Sequence, residues 1–521
     1  MDRTGSSQSA LTEGRAIPRN CRRWLMVVLG LALALRVGAA CGLQWMLDTR
    51  FQRQFLIEGD SNGYWELGQK LAQGEDYAIY TPPRRILRMP GFPLILAMSQ
   101  ALFGDEKLPA RLLLALVGTT ACWGVWRLGR ELCDDKIGLM AAALAAVSPA
   151  LVGFTPVILS ETPFAATMTF SLIAGSNLLK RHRLLSTKNS ETHTNDGAGG
   201  GGEVCSATAG KSLVVGLLIA LAVYFRPSWL LAGIAFGGIL LLSSRSPRRA
   251  LRDTLLIHLG LLLGLLPWTV RNYQVSGRVV LTSLWMGPSL YDGWNPDATG
   301  DSDMRFFDRD DVLGQGMSEY DMNQHYSKLA FDFARNHPGR VVELAALKSW
   351  RYWKPWPNAA QFEGALPAIV LSTFYLPMLL LAIHGGWLMR RELWKVLIAA
   401  GPIVYFAALH AVFVSSLRYR LPAEYPMLVL SAVSLRHWCR GCCSGLCDGS
   451  GSMTVASLLT APAISSAKGD SGNNVGSAVR TVFRWIRSRW SAQGTLLGSP
   501  SMTPVRGDIG ASVSPVEGVT A

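Results

Sequence analysis

The feature that most constrains this chain is a series of apolar runs, several of which are flanked by arginine or lysine. The first run, Trp24–Met46, is long enough to cross a bilayer core at about 1.5 Å per residue of helix. The later runs are Leu108–Trp126, Ile137–Phe154, Thr162–Leu179, Ser212–Phe225, Ser228–Leu242, Thr254–Val270, Leu366–Ile383, Val396–Val414 and Leu421–Leu435. Backbone polar groups inside a bilayer must be satisfied within the segment, so such runs predict α-helices. We therefore expect an all-α polytopic membrane protein with about ten transmembrane helices.

Composition favours a membrane protein over a soluble or disordered one. Hydrophobic residues make up 49% of the chain, charged residues make up 17%, and the mean hydropathy is +0.23. The formal net charge of +14 would suggest nucleic-acid binding in a soluble protein. Here, however, the basic residues gather beside the ends of the apolar runs, as the positive-inside bias requires. The expected partner is a lipid bilayer, and no nucleic acid is expected.

Basic residues also predict the orientation. Arg19, Arg22 and Arg23 precede the first run, which places the N-terminus in the cytoplasm and favours an uncleaved anchor over a signal peptide. The short run Phe92–Phe103 is interpreted as a juxtamembrane helix, because counting it as a span would move four basic loops to the outer side. This topology puts the segment 271–361 outside, both termini in the cytoplasm, and the protein in the cytoplasmic (inner) membrane.

The predicted domain organisation follows from these spans. Residues 1–23 form a cytoplasmic N-terminus, 24–270 an N-terminal membrane domain, 271–361 a small outer-face mixed domain, 362–438 the C-terminal membrane helices, and 439–521 a disordered cytoplasmic tail. Within the membrane domain, 47–107 is the first outer loop, with juxtamembrane helices, and 180–211 is a flexible, Gly-rich cytoplasmic linker. In the tail, the basic and aromatic stretch Arg480–Trp490 could lie on an anionic leaflet.

Two outer acids are the candidate catalytic residues. Asp60 follows the first run by a dozen or so residues, so its carboxylate would lie at the membrane surface. It could cap a short helix, or it could act as a general base that takes a proton from an acceptor hydroxyl. Glu161 opens the fourth run, where it could simply favour a helix N-terminus. Acids at the hydrocarbon boundary usually face a cavity or a partner, so we expect the two to share a site.

Basic residues also gather near span ends on the predicted outer face, which the positive-inside bias leaves poor in Arg and Lys. Each one alone could be an interface anchor, but together they predict an anionic ligand such as a phosphate, on which fixed cations stabilise negative charge. The candidates are Arg88, Arg226, Arg271, Lys348, Arg351, Arg418 and Arg420. Of these, all but Arg226 form the predicted phosphate-binding set.

Other candidate sites are fewer. Tyr64 and Tyr291 are the predicted substrate-binding residues. His325 and His337 lie in the outer segment without a second close ligand, so no metal site is predicted there. No cofactor is expected to be required, and a divalent metal is possible but not indicated, since the sequence has no Walker loop, dinucleotide fingerprint or zincin motif.

An ordered set of motifs resembles the polyprenyl-phosphate-sugar-dependent glycosyltransferases of the GT-C membrane fold, in particular glycosyltransferase family 39 and its aminoarabinose- and protein-mannose-transferring relatives. The matching stretches are GDSNGYWELGQKLAQG, RMPGFPLILA, ARLLLALVGTTACWGVWRLGREL, GLMAAALAAVSPALVGFTPVILSETPF, FRPSWLL, PWTVRNY, GWNPDATG, ARNHPGRVVELAALKSWRYW and RYRLPAEYP. They run from about Arg22 to Trp438 in the order that the family shows.

The resemblance implies a GT-C-like fold and an inverting hexosyl- or pentosyltransferase with an undecaprenyl- or dolichyl-phosphate-sugar donor. It matches Asp60 to the catalytic base and Glu161 to a supporting acid. It also matches Arg88, Arg271, Lys348 and Arg418 to basic positions near the lipid phosphate. The acceptor would be an envelope lipid, protein or polysaccharide. Where the family often has an Asp-Glu pair in the first outer loop, this chain has Asp60-Ser61.

A polytopic transporter or flippase for an anionic lipid or sugar is the alternative function. A transporter would place ionisable residues near mid-membrane and show broken helices in paired halves. The runs here are mostly free of charge at their centres, with Arg36, His258 and His410 as the exceptions. A non-catalytic scaffold would leave Asp60 and the outer basic residues without a role.

Overall fold

The computed structural model describes residues 17–191, 201–244, 246–357 and 364–444, and this part of the chain is helical. Its helices are α1 Arg19–Met46, α2 Glu58–Gln73, α3 Gly91–Phe103, α4 Lys107–Leu132, α5 Asp135–Val147, α6 Pro149–Phe154, α7 Glu161–Glu191, α8 Gly201–Val223, α9 Ala232–Ser243, α10 Pro247–Ser276, α11 Met286–Gly293, α12 Arg305–Asp310, α13 Glu319–Asn336, α14 Pro338–Trp353, α15 Ala365–Leu388, α16 Leu393–Val412 and α17 Leu417–Ser444. Within these ranges, β pairing is limited to an isolated antiparallel bridge between Ile79 and Arg84.

The helix composition is that of a multi-pass membrane protein. Five helical stretches are long and apolar enough to cross a bilayer: Arg19–Phe51, Lys107–Leu132, Pro247–Ser276, Ala365–Leu388 and Arg390–Val412. Shorter apolar helices lie at Gly91–Phe103, Thr208–Val223 and Pro227–Ser243. The all-helical fold is therefore confirmed for the described residues. Every predicted apolar run coincides with one or two of these helices, and ten crossings remain a prediction.

The run predicted over 137–154 is broken between α5 and α6. Pro149 has no N–H and therefore leaves the carbonyl of Ala145, four residues earlier, without its helical donor. Arg36 of α1 supplies the donor: its Nη2 donates to the Ala145 carbonyl at 3.1 Å and its Nη1 to the Ala146 carbonyl at 3.4 Å. Gly118 of α4 makes room for it, since a Cβ there would lie 2.9 Å from Arg36 Nε. The buried cation thus binds the end of α5 to α1.

Residues 47–107 contain the helices that position the candidate site. The amphipathic α2 ends at Gly74, whose φ of 72° is left-handed. After a loop, α3 begins at Gly91, where a Cβ would lie 2.6 Å from the carbonyl oxygen of Tyr224 at the end of α8. The Gly91 amide donates to that same oxygen at 3.0 Å. Glycine at this position therefore lets the loop dock directly on the end of α8.

The segment predicted as a mixed domain is helical over its described part, and this corrects the prediction. Met322, Tyr326 and Ala330 are buried on one face of α13 because they are spaced four residues apart. Met322 and Tyr326 of this face pack in a cluster with Phe306 and Phe307 of α12. The apolar spacing of the segment is therefore helical, and it supports no strand in the residues described.

Some predicted regions lie wholly or partly outside the described residues. Helices α7 and α8 extend into the predicted linker from both sides, and residues 192–200 between them are not described. Residues 1–16 and the tail beyond 444, including Arg480–Trp490, lie outside the description as well. The described helices belong to one compact unit.

Candidate active site

Two acids and three arginines meet at one end of the helical bundle. Asp60 lies in the first turn of α2, Glu161 is the first residue of α7, and Arg418 lies in the first turn of α17. Arg88 comes from the loop before α3, and Arg226 follows the end of α8. We call these five residues the charge cluster. Residues far apart in the chain meet here because the ends of several helices converge.

Asp60 has an arginine partner on each of its carboxylate oxygens. Oδ1 lies 3.0 Å from Arg88 Nη2, and Oδ2 lies 2.8 Å from Arg418 Nη1. The Asp60 side chain is 33% exposed, while those of Arg88 and Arg418 are more buried. Burial alone would raise the pKa of Asp60, but the charges and hydrogen bonds of the two arginines outweigh it and hold the pKa well below its usual range. In this state Asp60 is a weak base.

Glu161 has one paired and one unpaired oxygen. Its Oε1 lies 2.7 Å from Arg226 Nη1 and 3.8 Å from Arg418 Nε. Its Oε2 is buried without a hydrogen-bond partner in the described part of the protein. Arg418 therefore links the two acids, and Glu161 retains an acceptor that a ligand could use.

Tyr64 contributes an aromatic face to the cluster. Its ring lies 4.3 Å from the guanidinium carbon of Arg88, and its hydroxyl lies 3.5 Å from Ser160 Oγ, next to Glu161. Gly63 lies beside this arrangement, and a Cβ there would lie 3.2 Å from the Tyr80 hydroxyl and 3.3 Å from Ile79 Cδ1. The structure thus brings together Asp60, Glu161, Arg88, Arg418 and Tyr64 of the predicted site residues.

Tyr419 is a residue that the sequence reasoning missed. Its ring centroid lies 4.8 Å from the guanidinium carbon of Arg418 and 5.2 Å from that of Arg226. His410 stacks on the same ring. The motif RYRLP carried the signal, because the tyrosine stands between two arginines that were predicted to bind phosphate.

Arg271 and Arg351 bind loops rather than the charge cluster in the contacts described. Arg271, on α10, donates to the Arg85 carbonyl at 2.6 Å and to the Tyr77 carbonyl at 3.3 Å. Arg351, on α14, pairs with Asp301. Arg271 thereby fixes the loop that leads to Arg88, whereas Arg351 fixes a loop of the segment that follows α11.

Lys348 and Arg420 are buried among backbone carbonyls. Lys348 Nζ donates to the carbonyls of Gly293 and Val412 at 2.8 and 2.7 Å, and burial lowers the pKa of Lys348 to about 8. Arg420 pairs with Glu424 at 2.7 Å and donates to the Tyr352 carbonyl at 2.7 Å. Both side chains join elements of the fold.

Tyr291, the second predicted substrate-binding residue, packs inside the segment after α10. Its ring centroid lies 5.0 Å from that of Phe306 and 5.5 Å from that of Tyr326. Burial raises the pKa of the Tyr291 hydroxyl. Within the described residues, no group of three or more His, Cys, Asp or Glu side chains could hold a metal ion.

Comparison with known proteins gives one family match and several structural likenesses. Residues 87–187 match the profile of a family described as dolichyl-phosphate-mannose-protein mannosyltransferase. No curated protein matches the chain by sequence. The matched range contains Arg88 and Glu161 of the charge cluster.

Among solved structures, the apo oligosaccharyltransferase of Archaeoglobus fulgidus is similar with a TM-score of 0.52 and 14% identity, over 82% of this chain and 52% of that chain. The same organism's oligosaccharyltransferase AglB, solved with an inhibitory peptide and a dolichol-phosphate, gives a TM-score of 0.46 and 12% identity, over 93% of this chain and 57% of that one. ArnT from Cupriavidus metallidurans, bound to undecaprenyl phosphate, gives a TM-score of 0.37 and 15% identity, over 80% of this chain and 79% of that chain. This chain thus spans about half the length of the oligosaccharyltransferases. The first likeness supports a shared helical fold.

Proposed function

We propose that this chain is a membrane glycosyltransferase. Its residues 87–187 match the model of the dolichyl-phosphate-mannose-protein mannosyltransferase family. It moves a sugar from a polyprenyl-phosphate donor to an acceptor hydroxyl. The observation that carries the proposal is the charge cluster, in which Asp60 lies between Arg88 and Arg418. A base and a set of phosphate-binding cations are thereby within reach of one another.

The net charge of the cluster suits the donor. Three guanidiniums and two carboxylates leave one positive charge, which matches the single negative charge of a phosphodiester. When the sugar leaves, the phosphate becomes a monoester and gains a second negative charge. If Asp60 has accepted a proton by then, the cluster has gained one positive charge as well. The charges of the protein and the leaving group therefore change together, which favours the transition state.

The reaction follows as a single displacement. Asp60 takes the proton from the acceptor hydroxyl, and the oxygen attacks the anomeric carbon. The bond from that carbon to the phosphate oxygen breaks, and its electron pair leaves with the polyprenyl phosphate, held by Arg88 and Arg418. The configuration at the anomeric carbon inverts because the sugar is never attached to the protein. Asp60 then releases its proton to solvent.

Donor binding would also prepare the base. In the free protein Arg88 and Arg418 occupy both oxygens of Asp60. A donor phosphate offers the same arginines another anion, so they can turn towards it and release a carboxylate oxygen. The pKa of Asp60 then rises towards its usual range, where the group accepts protons better.

The topology that accompanies this proposal has ten spans, the charge cluster on the outer face of the cytoplasmic membrane, and both termini in the cytoplasm. The ends of α7, α8 and α17 support this arrangement. Glu161 and Arg418 lie in the first turns of α7 and α17, and Arg226 follows the end of α8, so these three helix ends share one face. The ion pair between Lys180 and Glu131 lies further along α7. The acceptor is proposed to be an envelope lipid, protein or polysaccharide.

The test uses membranes that contain wild-type protein, Asp60→Asn or Asp105→Asn. Each is supplied with polyprenyl-phosphate sugars and a cell-envelope extract, and free polyprenyl phosphate is measured. Asp105 is the matched control: an acid of the same loop that pairs with Lys107 at 2.7 Å, away from the cluster. We expect release by wild type and Asp105→Asn, and a loss of roughly 10²- to 10⁴-fold for Asp60→Asn. Equal release by all three would contradict the role of Asp60. Movement of donor across the membrane without release by wild type would favour a transporter.

A further inference from the structure

The ring of Tyr419 contacts two cations of the charge cluster at once. The guanidinium carbons of Arg418 and Arg226 lie 4.8 and 5.2 Å from the ring centroid. Arg418 Nη2 also donates a hydrogen bond to the Tyr419 hydroxyl oxygen at 2.8 Å. Besides the acids of the cluster, the two arginines therefore share an uncharged partner, Tyr419.

The two arginines need such a partner because they repel each other. Both approach the same oxygen of Glu161, Arg226 at 2.7 Å and Arg418 at 3.8 Å. Arg418 is also held by Asp60 Oδ2 at 2.8 Å, but the Glu161 oxygen still faces both guanidiniums, and neither carboxylate separates the two cations. The face of an aromatic ring attracts cations through its quadrupole, and a partly buried ring does so more strongly than an exposed one. Tyr419 therefore offsets the repulsion and sets where each guanidinium lies.

His410 fixes the ring of Tyr419. The two rings are stacked with centroids 4.3 Å apart and an angle of 4° between their planes. His410 Nδ1 lies 2.8 Å from the Val414 carbonyl, which can only accept, so Nδ1 carries the hydrogen and the imidazole cannot turn freely. The ring of Tyr352, on α14, is nearly parallel to the imidazole on its own side: the ring centroids lie 6.5 Å apart, and the angle between the planes is 16°. The orientation of Tyr419 is thus set by α16 and α14, outside its own helix.

We infer that Tyr419 is a positioning residue: its ring, held by His410, fixes Arg226 beside Glu161 and places Arg418 for binding and stabilising the phosphate. The inference rests on the proposed function for its kinetic part only, since phosphate binding can be measured without turnover. Arg418 is the arginine that joins Asp60 to Glu161, so a shift of its guanidinium disturbs both acids. The loss of the ring should reduce turnover more than it reduces affinity.

The experiment compares full-length Tyr419→Leu, Tyr419→Phe and the control Tyr320→Leu with wild type. The Tyr320 ring lies 5.1 Å from the guanidinium of Arg278, so the control removes the same kind of contact outside the cluster. Binding of undecaprenyl phosphate is measured for each purified variant. Both kcat and KM are measured per mole of folded protein with the donor that wild type uses.

We expect Tyr419→Leu to bind undecaprenyl phosphate about tenfold more weakly and to lose about a hundredfold in kcat. Tyr419→Phe keeps the ring and should stay within about threefold of wild type, as should Tyr320→Leu. The inference is overturned if Tyr419→Leu matches wild type, or if Tyr419→Phe is impaired as much as Tyr419→Leu.

A second variant covers the case in which Tyr419→Leu does not fold. His410→Gln removes the stacked ring but keeps an N–H for the Val414 carbonyl. It should weaken binding of undecaprenyl phosphate about three- to tenfold. Unchanged binding would overturn the inference. A wild type that binds undecaprenyl phosphate but turns over no donor would contradict the proposed function, while the binding comparison would still test Tyr419.

Discussion

Replacing Asp60 with asparagine should make the protein bind undecaprenyl phosphate more tightly, although the same change should greatly reduce turnover. The carboxylate of Asp60 occupies Arg88 and Arg418, the two arginines proposed to hold the lipid phosphate. Phosphate must therefore displace Asp60 before it can bind them. An asparagine has no charge with which to compete, so the variant should offer both arginines to the ligand.

The size of the effect follows from the exposure of the pair. A hydrogen bond to a charged group is worth about 1.5–3 kcal/mol when it is protected from water, and an exposed ion pair about 0.2–1 kcal/mol. The Asp60 side chain is 33% exposed, and its two bonds to arginine are partly screened. Taking about 0.7 kcal/mol for each bond gives about 1.4 kcal/mol, or tenfold in affinity.

The assay is equilibrium binding of undecaprenyl phosphate to purified wild type, Asp60→Asn and Asp105→Asn, by native mass spectrometry at fixed detergent and salt. Asp105→Asn should bind like wild type, since Asp105 pairs with Lys107 and accepts from Trp65 rather than from the cluster. Equal or weaker binding by Asp60→Asn would refute the reasoning. It would mean that Asp60 holds the arginines in place for the phosphate instead of competing with it.

Three further predictions concern Glu161 of the charge cluster, the buried Asp292 of α11 and the docking of Gly91. Glu161→Gln should lower turnover at least about tenfold, because Arg226 loses its charged partner and Arg418 loses one of its two, and wild-type turnover would show that this pairing is not needed. Burial raises the pKa of Asp292 to about 6 from its usual 3.8, so Asp292 stabilises the fold below about pH 4 and this contribution is lost as the pH rises through 6. Asp292→Asn should therefore show a smaller fall in thermal stability from pH 4 to pH 7 than wild type, and an unchanged fall would contradict this. Gly91→Ala should reduce activity and folded yield, because the added Cβ would lie 2.6 Å from the Tyr224 carbonyl oxygen. Gly59→Ala is the control and should reduce neither, because no atom lies within 4 Å of its Cβ position. Equal activity of the two variants would contradict a role for the docking of Gly91 on the end of α8.

The sequence allowed the family and the all-helical fold to be predicted. A model of that family matches residues 87–187, and the described helices confirm the helical fold. It also identified Asp60, Glu161, Arg88 and Arg418 as acidic and basic residues of a common face, and the structure places them together. Their role in catalysis stays a prediction. Apolar runs and charges at their ends were sufficient for this much.

The sequence could not separate the arginines and lysines that share a site from those that join elements of the fold. Lys348 carries the same pattern of flanking tryptophans as any residue at a span end, but its partners are carbonyls 55 and 64 residues away. Arg420 is likewise bound to carbonyls of α14 and its loop. Only the folded chain brings such partners together, so periodicity and spacing cannot reveal them.

The bond between Arg36 and the end of α5 has a consequence for how the protein is made. The acceptor carbonyl of Ala145 lies 109 residues beyond Arg36, so α1 is synthesised long before the partner that neutralises the cost of its buried cation. A lone guanidinium in hydrocarbon is expensive, so α1 should stay beside the insertion machinery until α5 emerges. Crosslinking of nascent chains would detect this delay, and early release of α1 into lipid would contradict it. One arginine would thereby set the order in which the bundle leaves the translocon.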